Sequence, residues 1–591
     1  MVIEIAKSTN PGKARKTKAS PSLKIPKKCN IVSGERILVT SALPYIHSIP
    51  HLGNLIGSIL PADIYYKYLR LAGRNAIFIC GSDEHGAPME LKALKEGKTP
   101  EQLTDENHAA VKEALLRFGC TFTHYGRTHC KENQETTNEI FLALQKNGLI
   151  KEIVCKLPFC KNCKKTLPDR YVEGKCPYCG GLGRGDQCND CGALLDPALL
   201  QELYCVLCGK KDIEFIDSKH LFIELPKLQD RLRAWVEGNK HWPPNAYYTS
   251  LEFLKQGLKE RCISRDLSWG FPIPLKGFEN KVFYVWFDAP IGYIGITREW
   301  SNLEGKPDEW KDWWQNPDTK IIHFMGKDNI LFHTIFWPAF LMGSGLGYTL
   351  PHTIQSYEYL VAKGGVKFSK SKGVGLDIQS ALEALPADYW RYVLVVLIPE
   401  SSDSEFTLES LQNVVNSELN DNIGNFVHRT LTFINRFYDG KLPEANLGDD
   451  DRAVLEEARK HSDAFKSNME CIRLREGLKA AASIAKVGNT YLSAKEPWNL
   501  VKTDRAAAGT VLYVCANLIK QLAICLYPFI PKTSERIWNY LQLGDFSKVR
   551  FEEIGRPLQA GHKLAEAIEI QPLFSKITDK QMEEFRKKFI G

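Results

Sequence analysis

No run of about 18 uninterrupted apolar residues occurs in the 591-residue chain, which argues against a membrane-spanning helix. The richest candidate, Gly509 to Pro528, is interrupted by Asn517, Lys520 and Gln521 at helical spacing and reads as a core helix. A secretory apolar segment is also missing behind the basic first 30 residues. Beyond them the chain lacks net charge. Residues 1–30 carry eight Lys or Arg against Glu4 alone, which accounts for the whole formal charge of +7. A global basic bias is therefore excluded as the basis of nucleic-acid binding, and local patches must supply it. The cysteine count, 17, is odd; with no signal segment this speaks against a disulfide framework and for a reducing compartment, the cytoplasm.

What is present is a chain too long for one hydrophobic core. Its Lys-, Pro- and Ser-rich start has almost no aromatic residues and is expected to be disordered. It reads as a solvated tail, or as a weak arm for an RNA or protein partner. The run Ile37–Thr40 has the character of a buried parallel strand. A helical pattern (Leu55 to Leu71) and a second strand (Ala76 to Cys80) follow, the start of a βαβ unit with its ligand site at the strands' carboxyl ends. From Lys151 to about Cys208 the texture turns Cys-, Gly- and Lys-rich. Strands are expected to resume at Val282–Trp286 and Lys320–Met325, the second half of the same sheet. After about Leu408 strands nearly vanish, and long helical patterns (Val414 to Tyr438, Ala453 to Tyr491) imply a bundle.

Four Cys-x-x-Cys pairs fall within 49 residues: Cys160/Cys163, Cys176/Cys179, Cys188/Cys191 and Cys205/Cys208. Two such turns converge four thiolates on one tetrahedral ion, so four pairs fit two zinc ions. With every coordination position filled, these metals are structural. Spacing leaves the pairing open.

Two elements suit a polyphosphate. Behind the first strand, His51-Leu-Gly53-Asn54 opens a helix; the glycine admits close backbone approach, and the helix start offers unpaired N–H groups. Some 300 residues on, Lys363-Gly-Gly-Val-Lys367-Phe-Ser-Lys370-Ser-Lys-Gly is a glycine-flanked loop whose lysines can reach a pyrophosphate leaving group. Either alone is weak; together, each behind a sheet strand, they are specific.

His-Leu-Gly-Asn resembles the HIGH signature of the class I aminoacyl-tRNA synthetases, and Lys-Phe-Ser-Lys-Ser their KMSKS loop, with Asn54 and Phe368 as departures. From about Ile37 to Phe574 the chain resembles the methionyl-tRNA synthetase family, in Ala42-Leu-Pro-Tyr45, Cys80-Gly-Ser-Asp83-Glu-His-Gly, the cysteine insert, Tyr284-Val-Trp286-Phe-Asp-Ala-Pro290-Ile-Gly-Tyr293 and His323-Phe-Met-Gly-Lys-Asp328-Asn-Ile-Leu-Phe-His333. The doubled Cys pairs resemble its archaeal and eukaryotic cytosolic branch. The resemblance implies methionine activation by ATP with Mg²⁺, then transfer to tRNA(Met). It places His51, Gly53 and Asn54 on the phosphates, Asp328 on the ribose, and Lys367 and Lys370 on the departing pyrophosphate. Leu43, Tyr45, Trp286, Pro290, Tyr293 and His333 would surround the methionine side chain, with Asp83 on its ammonium. Asn425, Arg429 and Trp498 would read the anticodon.

The expected organisation is an α/β chain: a split Rossmann-like parallel sheet with a zinc-knuckle insert, then an all-α helical bundle. Its divisions are a basic tail (1–32), a first sheet half (33–150), the insert (151–264), a second sheet half (265–362), a lysine-loop linking region (363–412), the helical anticodon-binding region (413–574) and a C-terminal segment (575–591). The competing readings are a class I synthetase for another amino acid, disfavoured by the absence of a large editing insert, and a catalytically inactive tRNA-binding scaffold.

Overall fold

The computed structural model describes residues 35–589 apart from 186, 189, 190, 192–194, 196, 363, 365 and 368–375. The basic tail and Lys370 therefore lie outside the described residues, as does the side chain of Lys367.

Five strands make one parallel sheet in the spatial order Thr353–Tyr357, Thr319–Gly326, Arg36–Ser41, Asn75–Ser82, His124–Arg127. Ile37, Leu38 and Val39 are wholly buried, the continuous apolar reading of a strand covered on both faces. The chain runs outward from Arg36–Ser41 in one direction and, after the insert, from Thr319–Gly326 in the other. The strand order thus reverses between these two strands, and the carboxyl ends at such a switch point are where a sheet of this kind offers its ligand crevice.

Three expectations need correction. Val282–Trp286 is not a sheet strand: only Val282–Phe283 is extended, paired antiparallel with Ser264–Arg265, and a 19-residue helix begins at Val285. Phe283, Phe287, Ile291 and Ile294 recur at helical spacing and are all buried, and a short apolar run does not by itself separate a buried strand from a buried helix. The strands His124–Arg127 and Thr353–Tyr357 escaped notice, being short and partly polar. The pattern Ala453 to Tyr491 is two helices, Asp449–Glu470 and Leu474–Lys495, broken where Ile472 takes a φ of 54°.

The insert rises on a ribbon of two 11-residue antiparallel strands, Ile150–Cys160 and Ile213–Ile223. In the helical region, Arg505–Leu526 is long and apolar enough to span a membrane, yet its apolar window is 94% buried in the bundle, as the polar interruptions suggested. The sheet and the helical region share a buried polar hub. Arg391 of the helix Ala387–Val396 is fully buried and donates to Asp63 Oδ2 (2.7 Å), Phe529 O (2.7 Å), Pro528 O (2.9 Å) and Gly119 O (3.2 Å). Lys67 also pairs with Asp63. Asp63 belongs to the helix Leu60–Leu71 that continues from the His51 turn.

Candidate active site

The turn after the first strand closes on itself. Asn54 N donates to His51 Nδ1 (3.1 Å), and His51 N donates to Asn54 Oδ1 (3.3 Å). This reciprocal cap fixes Nδ1 as an acceptor, which leaves the ring proton on Nε2. The chain returning from the lysine loop is stitched to the same turn: Leu52 N donates to Leu376 O (2.9 Å) and Ile378 N to Pro50 O (3.1 Å). At the loop's entry, Val366–Lys367 pairs with Val361–Ala362, which in turn runs parallel to Ser404–Phe406. Across the crevice the strand Thr319–Gly326 ends at exposed Asp328. A Cβ on Gly326 would lie 2.9 Å from Asp328 Oδ1, and one on Gly57 would lie 3.9 Å from Gly326 Cα. The missing side chain at Gly326 thus leaves room for the Asp328 carboxylate, and the helix turn at Gly57 packs directly on the strand end.

Beside this is a second set. Tyr45 and Asp83 are joined by backbone bonds, Ile46 N to Asp83 O (3.2 Å) and Asp83 N to Pro44 O (2.9 Å). Asp83 Oδ1 is buried with no hydrogen-bond partner. Burial, with Asp288 and Glu84 nearby, pushes this carboxyl well above the usual carboxylate range. A buried orphan oxygen of this kind suits a cationic ligand group. Leu43 packs on the helix Val285–Leu303, where a Cβ on Gly292 would stand 3.5 Å from its Cδ1. The same helix carries Trp286, buried Pro290 and buried Tyr293. Tyr293 OH bonds His333 Nε2 (2.9 Å), while His333 Nδ1 bonds Asn329 O (2.9 Å). The carbonyl only accepts, so Nδ1 holds the proton and the tyrosine donates. Burial pulls the His333 ring down to about 4, so it is neutral at physiological pH. Behind it Trp337 Nε1 donates to His323 Nε2 (3.3 Å), and His323 Nδ1 bonds Thr40.

Phe332, which sequence reasoning missed, stacks on Trp286 with centroids 3.7 Å apart and planes at 13°. Its position beside His333 was the available signal. Asn329 contributes through its backbone, whose carbonyl holds His333.

The eight cysteines separate into two clusters, Cys160, Cys163, Cys205, Cys208 and Cys176, Cys179, Cys188, Cys191, nested one inside the other along the chain. Sulfur pairs stand 3.6–3.9 Å apart, matching the edge of about 3.8 Å expected for a tetrahedron of thiolates about 2.3 Å from zinc. Each cluster could hold one such ion.

In the helical region the Arg429 guanidinium lies 5.0 Å from the Trp498 ring centre. Trp498, half-buried, stacks on Phe433 at 6.2 Å and 25°. Asn425, exposed, is one turn before Arg429 on the helix Asn425–Tyr438.

Family models agree with this layout. Residues 37–431 match the model for tRNA synthetases class I (M), and 442–591 match the anticodon binding domain of methionyl tRNA ligase. Methionine–tRNA ligase from Thermococcus kodakarensis is 44% identical over 94% of this chain and 76% of that protein. The Pyrobaculum aerophilum counterpart is 41% identical over 94% of this chain and 96% of its own. A Mycobacterium tuberculosis methionyl-tRNA synthetase solved with bound methionyl-adenylate shares the fold, with a TM-score of 0.76 at 23% identity over 92% of this chain and 100% of that one. With its parallel sheet, cysteine-rich insert and helical C-terminal region all matched, the chain belongs to the methionine–tRNA ligase family of class I aminoacyl-tRNA synthetases.

Proposed function

We propose that this chain activates methionine with ATP to methionyl-adenylate and pyrophosphate, then transfers the methionyl group to the 3′ end of tRNA(Met) in the cytoplasm. The observation that carries the reading is the meeting of the His51–Asn54 turn with the exit of the lysine loop at the sheet's switch point.

The methionine carboxylate attacks the α-phosphate, and a ribose hydroxyl of the tRNA later takes the acyl group, so neither step requires a protein nucleophile. The chain's work is placement and charge stabilisation. His51 Nε2–H, the Gly53 backbone and the Asn54 amide receive the phosphates, Asp328 receives the ribose, and Lys367 and Lys370 stabilise charge growing on the leaving pyrophosphate. Mg²⁺ bound with ATP supplies charge neutralisation on the phosphates. Asp83 takes the methionine ammonium, which gives its orphan oxygen a partner. Leu43, Tyr45, Trp286, Pro290, Tyr293 and His333 enclose the thioether, with aromatic–sulfur contacts worth about 0.3–1.5 kcal/mol each. Asn425, Arg429 and Trp498 receive the anticodon. The two cysteine clusters hold zinc as structural staples of the insert.

The functional divisions follow the sequence reading: a tail (1–32), sheet halves (33–150 and 265–362) around the insert (151–264), a loop-bearing link (363–412), an anticodon-binding bundle (413–574) and a C-terminal segment (575–591). Amino-acid-dependent ATP–pyrophosphate exchange, run separately with all twenty amino acids, tests the proposal. Exchange with methionine alone is expected; exchange with another amino acid overturns the pocket, and none at all overturns the activity.

A further inference from the structure

Away from the crevice, the insert ribbon and the short strands Arg261–Cys262 and Ser264–Arg265 gather a thiol, an imidazole, a carboxylate and an ammonium that the proposed aminoacylation does not use. Backbone pairing sets them together: Phe222 is opposite Cys262, and Ile263 N donates to Leu221 O (2.8 Å). His220 is only 3% exposed. Its Nδ1 is 2.8 Å from Ser264 Oγ, whereas its buried Nε2 has no hydrogen-bond partner and lies 3.7 Å from Asp266 Oδ1. Asp266 is itself held by Lys281 and by Ser218 Oγ (3.1 Å). Opposite Phe222, Cys262 is the diagonal neighbour of His220 on the same face of the ribbon; its partly exposed thiol donates to Ser264 O (3.3 Å) and lies 4.0 Å from Ser264 Oγ, the hydroxyl that His220 Nδ1 meets.

A thiol beside an imidazole that is oriented by a hydroxyl and faces a carboxylate is an arrangement that makes a sulfur nucleophilic. We propose that Cys262 is a modification site, oxidised by hydroperoxides to a sulfenic acid, with His220 holding the proton that leaves the sulfur. Burial alone would raise the thiol, but the neighbouring His220 ring and the Arg265 charge outweigh it and lower Cys262 from the ordinary thiol value. Burial likewise works against the His220 cation, and Asp266 and Cys262 outweigh that too. Asp266, despite burial, is held down to about 2 by His220 and Lys281. Both shifts run in the direction of thiolate and imidazolium.

In the step, the thiolate sulfur attacks one peroxide oxygen; the S–O bond forms as the O–O bond breaks. Sulfur gives up two electrons, and the departing hydroxide (an alkoxide from an organic peroxide) takes the His220 proton and leaves as water or alcohol. The modified sulfur would stand at the end of a short strand that leads to the side of the molecule proposed to hold methionine. Tyr284 N donates to Ile263 O (2.9 Å), the Arg265 guanidinium covers the Tyr284 ring at 3.6 Å, and Tyr284 opens the helix bearing Trp286, Pro290 and Tyr293.

The test is site-resolved labelling of the full zinc-loaded chain. Limiting hydrogen peroxide with a 1,3-dione that traps sulfenic acid, followed by peptide mass spectrometry, should tag Cys262 about ten-fold or more over Cys130, by the thiolate dependence of the reaction. Cys130 is the fitting control, being also partly exposed, with its thiol pushed by burial up to about 12. The rate of Cys262 alkylation by iodoacetamide against pH should inflect below the unperturbed thiol value of about 8.5, and His220→Gln should move that inflection upward. The wild-type profile stands alone if that variant does not fold. Tagging of Cys262 no faster than Cys130, tagging confined to the eight cluster cysteines, or an inflection at or above the unperturbed value overturns the proposal.

Discussion

Asp83 shows how one side chain carries a measurable signature. The ammonium-binding role proposed for it requires the ionised form, and its carboxyl is raised in the free chain by burial and by two neighbouring acids. The sign follows: as pH falls, Asp83 takes up a proton before ordinary carboxylates do, and methionine binding weakens. The KM for methionine in pyrophosphate exchange should therefore rise on acidification, starting above the usual carboxylate range. Asp83→Asn should raise it about 10–100-fold, the scale of a lost hydrogen bond to a charged group, and flatten its pH dependence. A steep pH dependence surviving in that variant would place the titration elsewhere. The pyrophosphate role proposed for Lys370 bears on the other parameter. Lys370→Ala should lower the exchange rate about 10²–10³-fold, as for removal of one donor to developing charge, with methionine KM little changed in the same assay.

Elements differ in how far the chain's letters reveal them. The strand Arg36–Ser41 and the helix after it were legible because β-branched residues run together and then give way to a Gly-Asn helix start. The helix Val285–Leu303 was not, because Phe283-Tyr-Val-Trp-Phe carries strand-like residues and Pro290 sits inside the helix. Only neighbours distant in the chain, such as Leu43 and Asn133 pressed against Gly292 and Gly295, settle its form. Site residues named by motif were found together where a backbone bridge or a helix joined them, as for Tyr45 with Asp83. Phe332 stands inside the motif that ends at His333, but only its ring stack on Trp286 shows that it belongs with the site. Two predictions belong at this level. Trp498→Ala should cost about 1–3 kcal/mol in tRNA charging, the value of one stacked base, while leaving pyrophosphate exchange intact; equal loss in both assays would make the residue a packing element. Arg391→Met should destabilise the fold by about 3–5 kcal/mol, because it strips a buried charge partner from Asp63. Urea unfolding followed by circular dichroism reads this as a lower midpoint, and an unchanged midpoint would show that Lys67 alone suffices.

Across the whole molecule, the insert and the sheet depend on different forces. The ribbon carries cysteine clusters at its far end rather than a large apolar core; among the described residues only a small buried group, Leu167, Tyr171 and Val172 included, packs around Cys160 and Cys205. Stripping metal with a chelator should raise hydrogen exchange across 151–223 while the strand Arg36–Ser41 stays protected; equal loss in both would make the insert part of the sheet's cooperative unit. The parallel sheet has a different demand, set by the order in which its strands leave the ribosome. Thr40 meets His323, 283 residues later. At about 5–20 residues per second, the wholly buried strand Ile37–Val39 waits on the order of 15–60 seconds of synthesis before its second neighbour exists. Throughout that interval the nascent half-sheet presents a bare edge of unpaired amides and carbonyls, so the middle of the finished sheet is the part of the newborn chain most in need of a chaperone's cover.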